Sequence, residues 1–162
     1  MIVLLPPSET KAAGGSGASL MTARPGESLW GFPGLAVARS RALDALDRLV
    51  AAGQDESTPA KARAAADNAA VRSSPTMPAI DRYTGVLYDA LDAASLDLDA
   101  RAWVERHVVI QSALLGFVRA SDAIPAYKVS EHTTLPGVRM RELWGDAGRV
   151  IEGFALGAGV DE

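Results

Sequence analysis

At 162 residues, with 48% hydrophobic and 22% charged positions, the chain is long enough to bury a core and too apolar to be disordered. Sixteen basic against twenty acidic residues leave a net charge of −4, so a phosphate-binding role needs a local basic surface, and an aromatic content of 6% leaves few platforms for stacking on bases. No cysteine is present, which excludes disulfides, thiolate metal sites and cysteine nucleophiles, and no apolar stretch is long enough to span a bilayer, so the expectation is a cytoplasmic protein with no membrane contact.

The chain opens with a short apolar run, Ile2 to Leu5, which reads as a buried strand. It empties into Pro6-Pro7-Ser8-Glu9-Thr10-Lys11 and then into a glycine-rich segment. The two prolines stop the strand and restrict the direction in which Ser8, Glu9 and Lys11 leave it. Residues 12–34 are rich in Gly, Ser and Pro, with Leu29, Trp30 and Phe32 as apolar anchors. Residues 35–52 carry Leu35, Leu43, Leu46, Leu49 and Val50 at helical spacing, with Gly53 at the C-terminal end. Thr58-Pro59 is an N-cap followed by proline in the first turn, and predicts an alanine-rich helix to Arg72 with Lys61, Arg63 and Arg72 on its face. The ordinary role of such a face is to be solvated.

Residues 81–91 place hydroxyl groups around Gly85, with Leu87, Tyr88 and Leu91 able to share a helical face. Asp97 or Asp99 starts a short helix through Trp103. The run from His107 to Leu115, ending on Gly116, is the best strand candidate, and its unbroken apolar character predicts burial on both faces. Arg119, Asp122, Tyr127 and Lys128 follow. Residues 138–154 read as a helix weakened by Gly145 and Gly148.

Ser8, Thr10 and Lys11 combine one point charge with two hydroxyls, a set suited to holding a phosphate or carboxylate at a strand end. The GGSG at 14–17 matches no P-loop, because no Gly-Lys-Ser/Thr ends it. Tyr83, Tyr88 and Tyr127 can line a pocket with their hydroxyls, or each can satisfy a backbone partner. Arg119 and Asp122 suggest an ion pair that shapes the site. His107 and His132 lie in unrelated contexts, so no metal site and no cofactor are expected, and Ser112 lacks the flanking glycines of a nucleophile elbow.

Four segments in order, LLPPSETKA (residues 4–12), YTGVLYDAL (83–91), SALLGFVRASDAIPAYKVS (112–130) and LWGD (143–146), resemble the YaaA family of peroxide stress resistance proteins. The resemblance implies a mixed α/β fold, a central mixed sheet surrounded by helices, in one domain over residues 1–162. Members typically continue past the Trp-Gly-Asp helix into a basic C-terminal segment, so the chain is expected to be a C-terminally short member. The family implies DNA binding that limits peroxide and iron damage, with a helix-hairpin-helix element matching residues 50–75. Here that stretch has Gly53, but places Asp55 and Glu56 where a phosphate would approach.

Two readings follow. In the first, the chain binds DNA through phosphate contacts from Ser8, Lys11, Lys61, Arg63, Arg119 and Lys128, with no chemistry of its own. In the alternative, Glu9, Thr10, Tyr83, Tyr88, Asp122 and Tyr127 join Ser8, Lys11 and Arg119 around a small anionic, nucleotide-like ligand. Glu9 discriminates between them: a carboxylate is unhelpful against phosphate but useful as a general base.

Overall fold

The apolar run at the start of the chain forms strand β1 (Val3–Leu5) of a computed structural model that describes residues 1–22, 30–145 and 147–157. Leu29 and Asp146, one an expected anchor and the other the end of the LWGD segment, lie outside the described residues. Helix α1 (Ala36–Ala51) follows a 3-10 turn and buries Arg39, Ala42, Leu43, Ala45 and Leu46, the stripe that 3.6-residue periodicity brings to one side. Helix α2 (Pro59–Ala69) starts on the Thr58 cap, whose hydroxyl accepts from the Lys61 amide. It ends three residues before Arg72, whose guanidinium pairs with Asp44 and Asp47 and so ties the two helices together.

Strand β2 (Met77–Pro78) leads into helix α3 (Ala79–Arg82) and helix α4 (Val86–Leu91). Helix α5 (Leu98–His107) is capped by the Asp97 carboxylate, which accepts from the Ala100 amide. Then come strands β3 (Val108–Ser112), β4 (Gly116–Arg119) and β5 (Ala123–Ile124), and helices α6 (Met140–Leu143) and α7 (Ala147–Gly157). The fold is mixed α/β. A three-stranded sheet has β3 at its centre, parallel to β1 and antiparallel to β4, while β2 and β5 form a separate antiparallel pair. No described helix is long and apolar enough to cross a membrane.

Several expected elements differ from the structure. Strand β1 is not buried: Leu4 is half exposed, and Val3 and Leu5 are only partly covered, because β1 pairs with β3 alone. Helix α5 continues past Trp103 to His107. The apolar run from residue 107 to 116 is a hairpin rather than one strand. Ser112 ends β3, its hydroxyl accepts from the Leu115 amide across the turn, and Gly116 returns with φ +74, where a Cβ would lie 2.7 Å from the Trp144 ring. The expected helix over 138–154 is two helices, because the chain turns at Trp144 and Gly145, where the Trp144 indole donates to the Ala113 carbonyl instead of continuing a helical surface.

The sheet divides the core. Val108, Ile110 and Val118 face a large cluster with Leu46, Tyr83, Tyr88 and Tyr127. Val109 faces a smaller one with Phe32, Leu35 and Ala147, against which Phe117 and Phe154 pack. Alternation along each strand sets this division, so a residue's parity decides which chemistry it meets.

Candidate functional site

The turn after β1 is held by contacts from distant parts of the chain. The Tyr88 hydroxyl donates to the Pro6 carbonyl at 2.7 Å. Residues 10–12 then run antiparallel beside 82–84: the Thr84 amide donates to the Thr10 carbonyl, the Ala12 amide donates to the Arg82 carbonyl, and Lys11 bridges Tyr83. Gly85, at φ +104, brings its backbone against this turn, where a Cβ would meet the hydroxyls of Ser8 and Thr10 at 3.2 and 3.3 Å. Arg82 is fully buried and donates to the carbonyls of Ala12, Gly14, Pro75 and Ile124. Its guanidinium supplies the donors that the glycine-rich segment lacks, because irregular backbone satisfies few of its own carbonyls.

This scaffold sets the Lys11 side chain over two aromatic faces. Its amine lies 4.1 Å from the Tyr127 ring centroid and 5.0 Å from that of Tyr83, and donates to the Ser8 carbonyl at 3.1 Å. Burial pulls its pKa down to about 7, the nearby Lys128 and Arg82 charges add to that, and the Glu9 and Asp67 carboxylates oppose it. The Glu9 carboxylate sits on Lys128 at 3.3 Å, and Lys128 also donates to the Glu9 carbonyl. Two amines therefore share one turn, and its carboxylate is bonded to the outer of the two.

Beneath Lys11 lies a buried line of hydroxyls. Tyr83 and Tyr127 are joined at 2.7 Å, and Tyr127 and Ser112 at 2.7 Å. Burial raises the pKa of both phenols, so both stay protonated and act as donors and acceptors within the line. On the open side, the Ser8–Glu9 turn forms one wall of a groove of about 410 Å³, walled elsewhere by Gln111, Val129, Ser130 and His132.

The structure brings Ser8, Glu9, Thr10, Lys11, Tyr83, Tyr88, Tyr127 and Lys128 into one neighbourhood. Asn68 belongs there too: its amide nitrogen donates to the Lys128 carbonyl and its oxygen accepts from the Lys128 amide, so α2 clamps that lysine's backbone. Arg63 is exposed four residues before Asp67, hence on the helix stripe whose carboxylate acts on Lys11. Lys61 lies on another stripe, with its amine 2.6 Å from Asp55. Asp55 is the residue expected to stand in the path of phosphate, and Lys61 holds its pKa below the usual carboxylate range. The α1–α2 connection does carry Gly53 in the left-handed region, at φ +89.

Arg119 and Asp122 lie elsewhere. Arg119 pairs with Val109 across the β3–β4 ladder, and its guanidinium lies 4.7 Å from the Phe154 ring and 5.7 Å from that of Phe32. It is on the opposite side of the sheet from the tyrosine cluster. The Asp122 carboxylate does not hold the Arg119 side chain: it accepts from the backbone amides of Gly31 and Arg119. Burial pushes that carboxyl's pKa up, and those two amides work against the rise. Ser112, Asn68 and Arg82 were not candidates on sequence grounds, since a serine, an asparagine and an arginine of this kind have no spacing that distinguishes them from surface residues.

Residues 1–150 match the family described as peroxide stress protein YaaA. A UPF0246 protein of Corynebacterium glutamicum is 44% identical over 142 residues, covering 84% of this chain and 53% of the relative. A UPF0246 protein of Streptomyces coelicolor is 42% identical over 144 residues, covering 85% and 54%. One from Corynebacterium efficiens is 42% identical over 173 aligned positions, covering 100% of this chain and 64% of the relative. The chain thus spans between 53% and 64% of the length of these curated relatives. On the match over residues 1–150 and these identities, the chain belongs to the YaaA family of peroxide stress proteins, the UPF0246 proteins.

Proposed function

We propose that the chain acts in the response to peroxide as a phosphate-binding protein, taking the phosphodiester backbone of DNA at the Lys11–Lys128 turn and so helping to limit peroxide and iron damage to it. One observation carries this reading: two lysine amines meet at one turn, flanked by the Ser8 and Thr10 hydroxyls. An arriving phosphate restores to Lys11 the charge stabilisation that burial removes, and replaces the Glu9 carboxylate on Lys128. That exposed pair is worth about 1 kcal/mol or less, so it is displaced at little cost. Arg63, on the adjoining helix stripe, extends the surface along a strand. The family's description supports the peroxide setting.

A second reading is favoured by the depressed Lys11 pKa and by the groove beside Ser8 and Glu9. Here the site takes a small anionic ligand, with Glu9 free to accept a proton once Lys128 turns to that ligand. Fluorescence anisotropy with duplex DNA, over a series of salt concentrations, separates the two. DNA binding gives a log K that falls with log salt by about 0.9 per phosphate contacted. The small-ligand reading gives no duplex binding, and protection of Lys11 from acylation by a nucleoside phosphate.

A further inference from the structure

Lys11 is placed unlike a lysine that merely closes an ion pair. The turn's carboxylate, Glu9, is bonded to Lys128, so the Lys11 amine has a neutral carbonyl as its hydrogen-bond acceptor, Ser8 O at 3.1 Å. Two aromatic faces confine it, at 4.1 and 5.0 Å. A second cation, Lys128, stands at the same turn and is anchored through its backbone by Asn68. Desolvation together with a neighbouring cation is the arrangement that turns a lysine amine into a nucleophile.

We infer that Lys11 is an imine-forming nucleophile, condensing with the carbonyl carbon of a small 2-oxo acid whose carboxylate lies on the Lys128 ammonium. The unprotonated amine nitrogen forms a bond to the carbonyl carbon, and the carbonyl π electrons move to oxygen. A proton passes from nitrogen to that oxygen, giving a carbinolamine. The hydroxyl group then takes up a further proton and leaves as water, and the nitrogen lone pair completes the C=N bond, leaving a protonated imine. One unprotonated amine, one 2-oxo carboxylate and one proton taken up from solvent give one iminium and one water, with no change of oxidation state. Glu9, released from Lys128 by the substrate carboxylate, is the group placed to carry the proton in both steps. Lys11 titrates close to neutral pH, so it supplies the unprotonated amine without strong base.

The inference goes beyond phosphate binding and rests on that reading only for the carboxylate contact, so the two fail separately: a salt titration reads the anion site, and covalent labelling reads the amine. The chain has only three lysines, Lys11, Lys61 and Lys128, which makes it its own control. The intact chain is incubated at neutral pH with glyoxylate and cyanoborohydride, which reduces the iminium to a stable secondary amine, and the modified peptides are quantified by mass spectrometry. Lys11 is expected to be labelled at least about tenfold faster than Lys61 or Lys128, the direction set by an ordinary lysine pKa of about 10.4. Replacing glyoxylate with acetaldehyde, in wild type and in Lys128→Ala, tests the carboxylate contact. The substitution also removes the neighbouring charge that helps to lower the Lys11 pKa, so it should slow labelling by both aldehydes, and by glyoxylate several-fold more than by acetaldehyde. Labelling of Lys11 no faster than that of Lys61 overturns the inference; equal slowing with both aldehydes overturns the role given to Lys128.

Discussion

On one side of the β1–β3–β4 sheet, the Lys11 amine lies on the Tyr127 ring, bonded to a single backbone carbonyl and next to a second lysine. On the other side, the Arg119 guanidinium lies against Phe154 and Phe32, and the nearby carboxylate, Asp122, is taken up by backbone amides. Both cations rest on aromatic faces. They differ in what surrounds those faces: Lys11 stands above a line of hydroxyls at the exit of a strand, whereas Arg119 packs among the apolar residues that seat α7 on the sheet. A cation on an aromatic ring becomes a candidate for binding only where the backbone leaves its charge unspent and an opening adjoins it. Arg82 makes the same point within the site, since it is more deeply buried than Lys11 and spends its guanidinium on four carbonyls.

The largest effect expected is at Arg82. Arg82→Met strands four carbonyls at the root of the glycine-rich segment and should cost about 3–5 kcal/mol in urea denaturation; a loss near that of an ordinary surface substitution would remove the distinction between a structural and a binding cation.

Next comes Lys11 through its pH dependence. Its folded pKa of about 7 lies below the unfolded value of 10.5. Between these values the unfolded chain binds the extra proton, so stability rises with pH there, by up to about 1.4 kcal/mol per unit. Below pH 7 both states carry the proton, and the folded state bears the whole cost of burying it. Lys11→Met removes this dependence, so its stability relative to wild type should be most favourable near pH 6 and decline steadily toward pH 10. A difference independent of pH would mean that Lys11 is not desolvated.

Tyr127→Phe should cost about 1–3 kcal/mol, because it removes the shared partner of the Tyr83 and Ser112 hydroxyls in a buried setting. The smallest effect is expected at Lys61, exposed, ion-paired with Asp55 and donating to the Ser57 hydroxyl across the helix start: Lys61→Ala should change thermal stability by less than about 0.5 kcal/mol.

Much of the fold was legible because it rests on local chemistry. The Thr58 cap, a helix start at Asp97 or Asp99, the existence of a strand at Ile2–Leu5 with its proline exit, and the fully buried Val108–Ile110 run each follow from a short stretch of sequence; the exposure of Leu4 does not, because it depends on which strands flank β1. The 107–116 hairpin was not legible, since Ala113, Leu114 and Leu115 continue the apolar pattern and the turn is made by the Ser112 hydroxyl. Nor was the side on which Arg119 falls, because it depends on pairing with Val109, a relation between strands rather than along one. The grouping of Ser8, Glu9 and Lys11 stands in the sequence as a cluster. What burial does to Lys11 does not, because Tyr83 and Tyr127 reach it from 72 and 116 positions away (83 − 11 and 127 − 11).

The central claim is that the Lys11–Lys128 turn binds the phosphodiester backbone, and the most direct test compares the salt dependence of duplex DNA binding in wild type, in Lys11→Met with Lys128→Ala, and in Arg119→Leu. The account predicts that the double substitution lowers the magnitude of the log K against log salt slope by about 1.8, at about 0.9 per lysine, and that Arg119→Leu leaves it unchanged. A slope that survives the double substitution, or one that falls with Arg119→Leu instead, would contradict it.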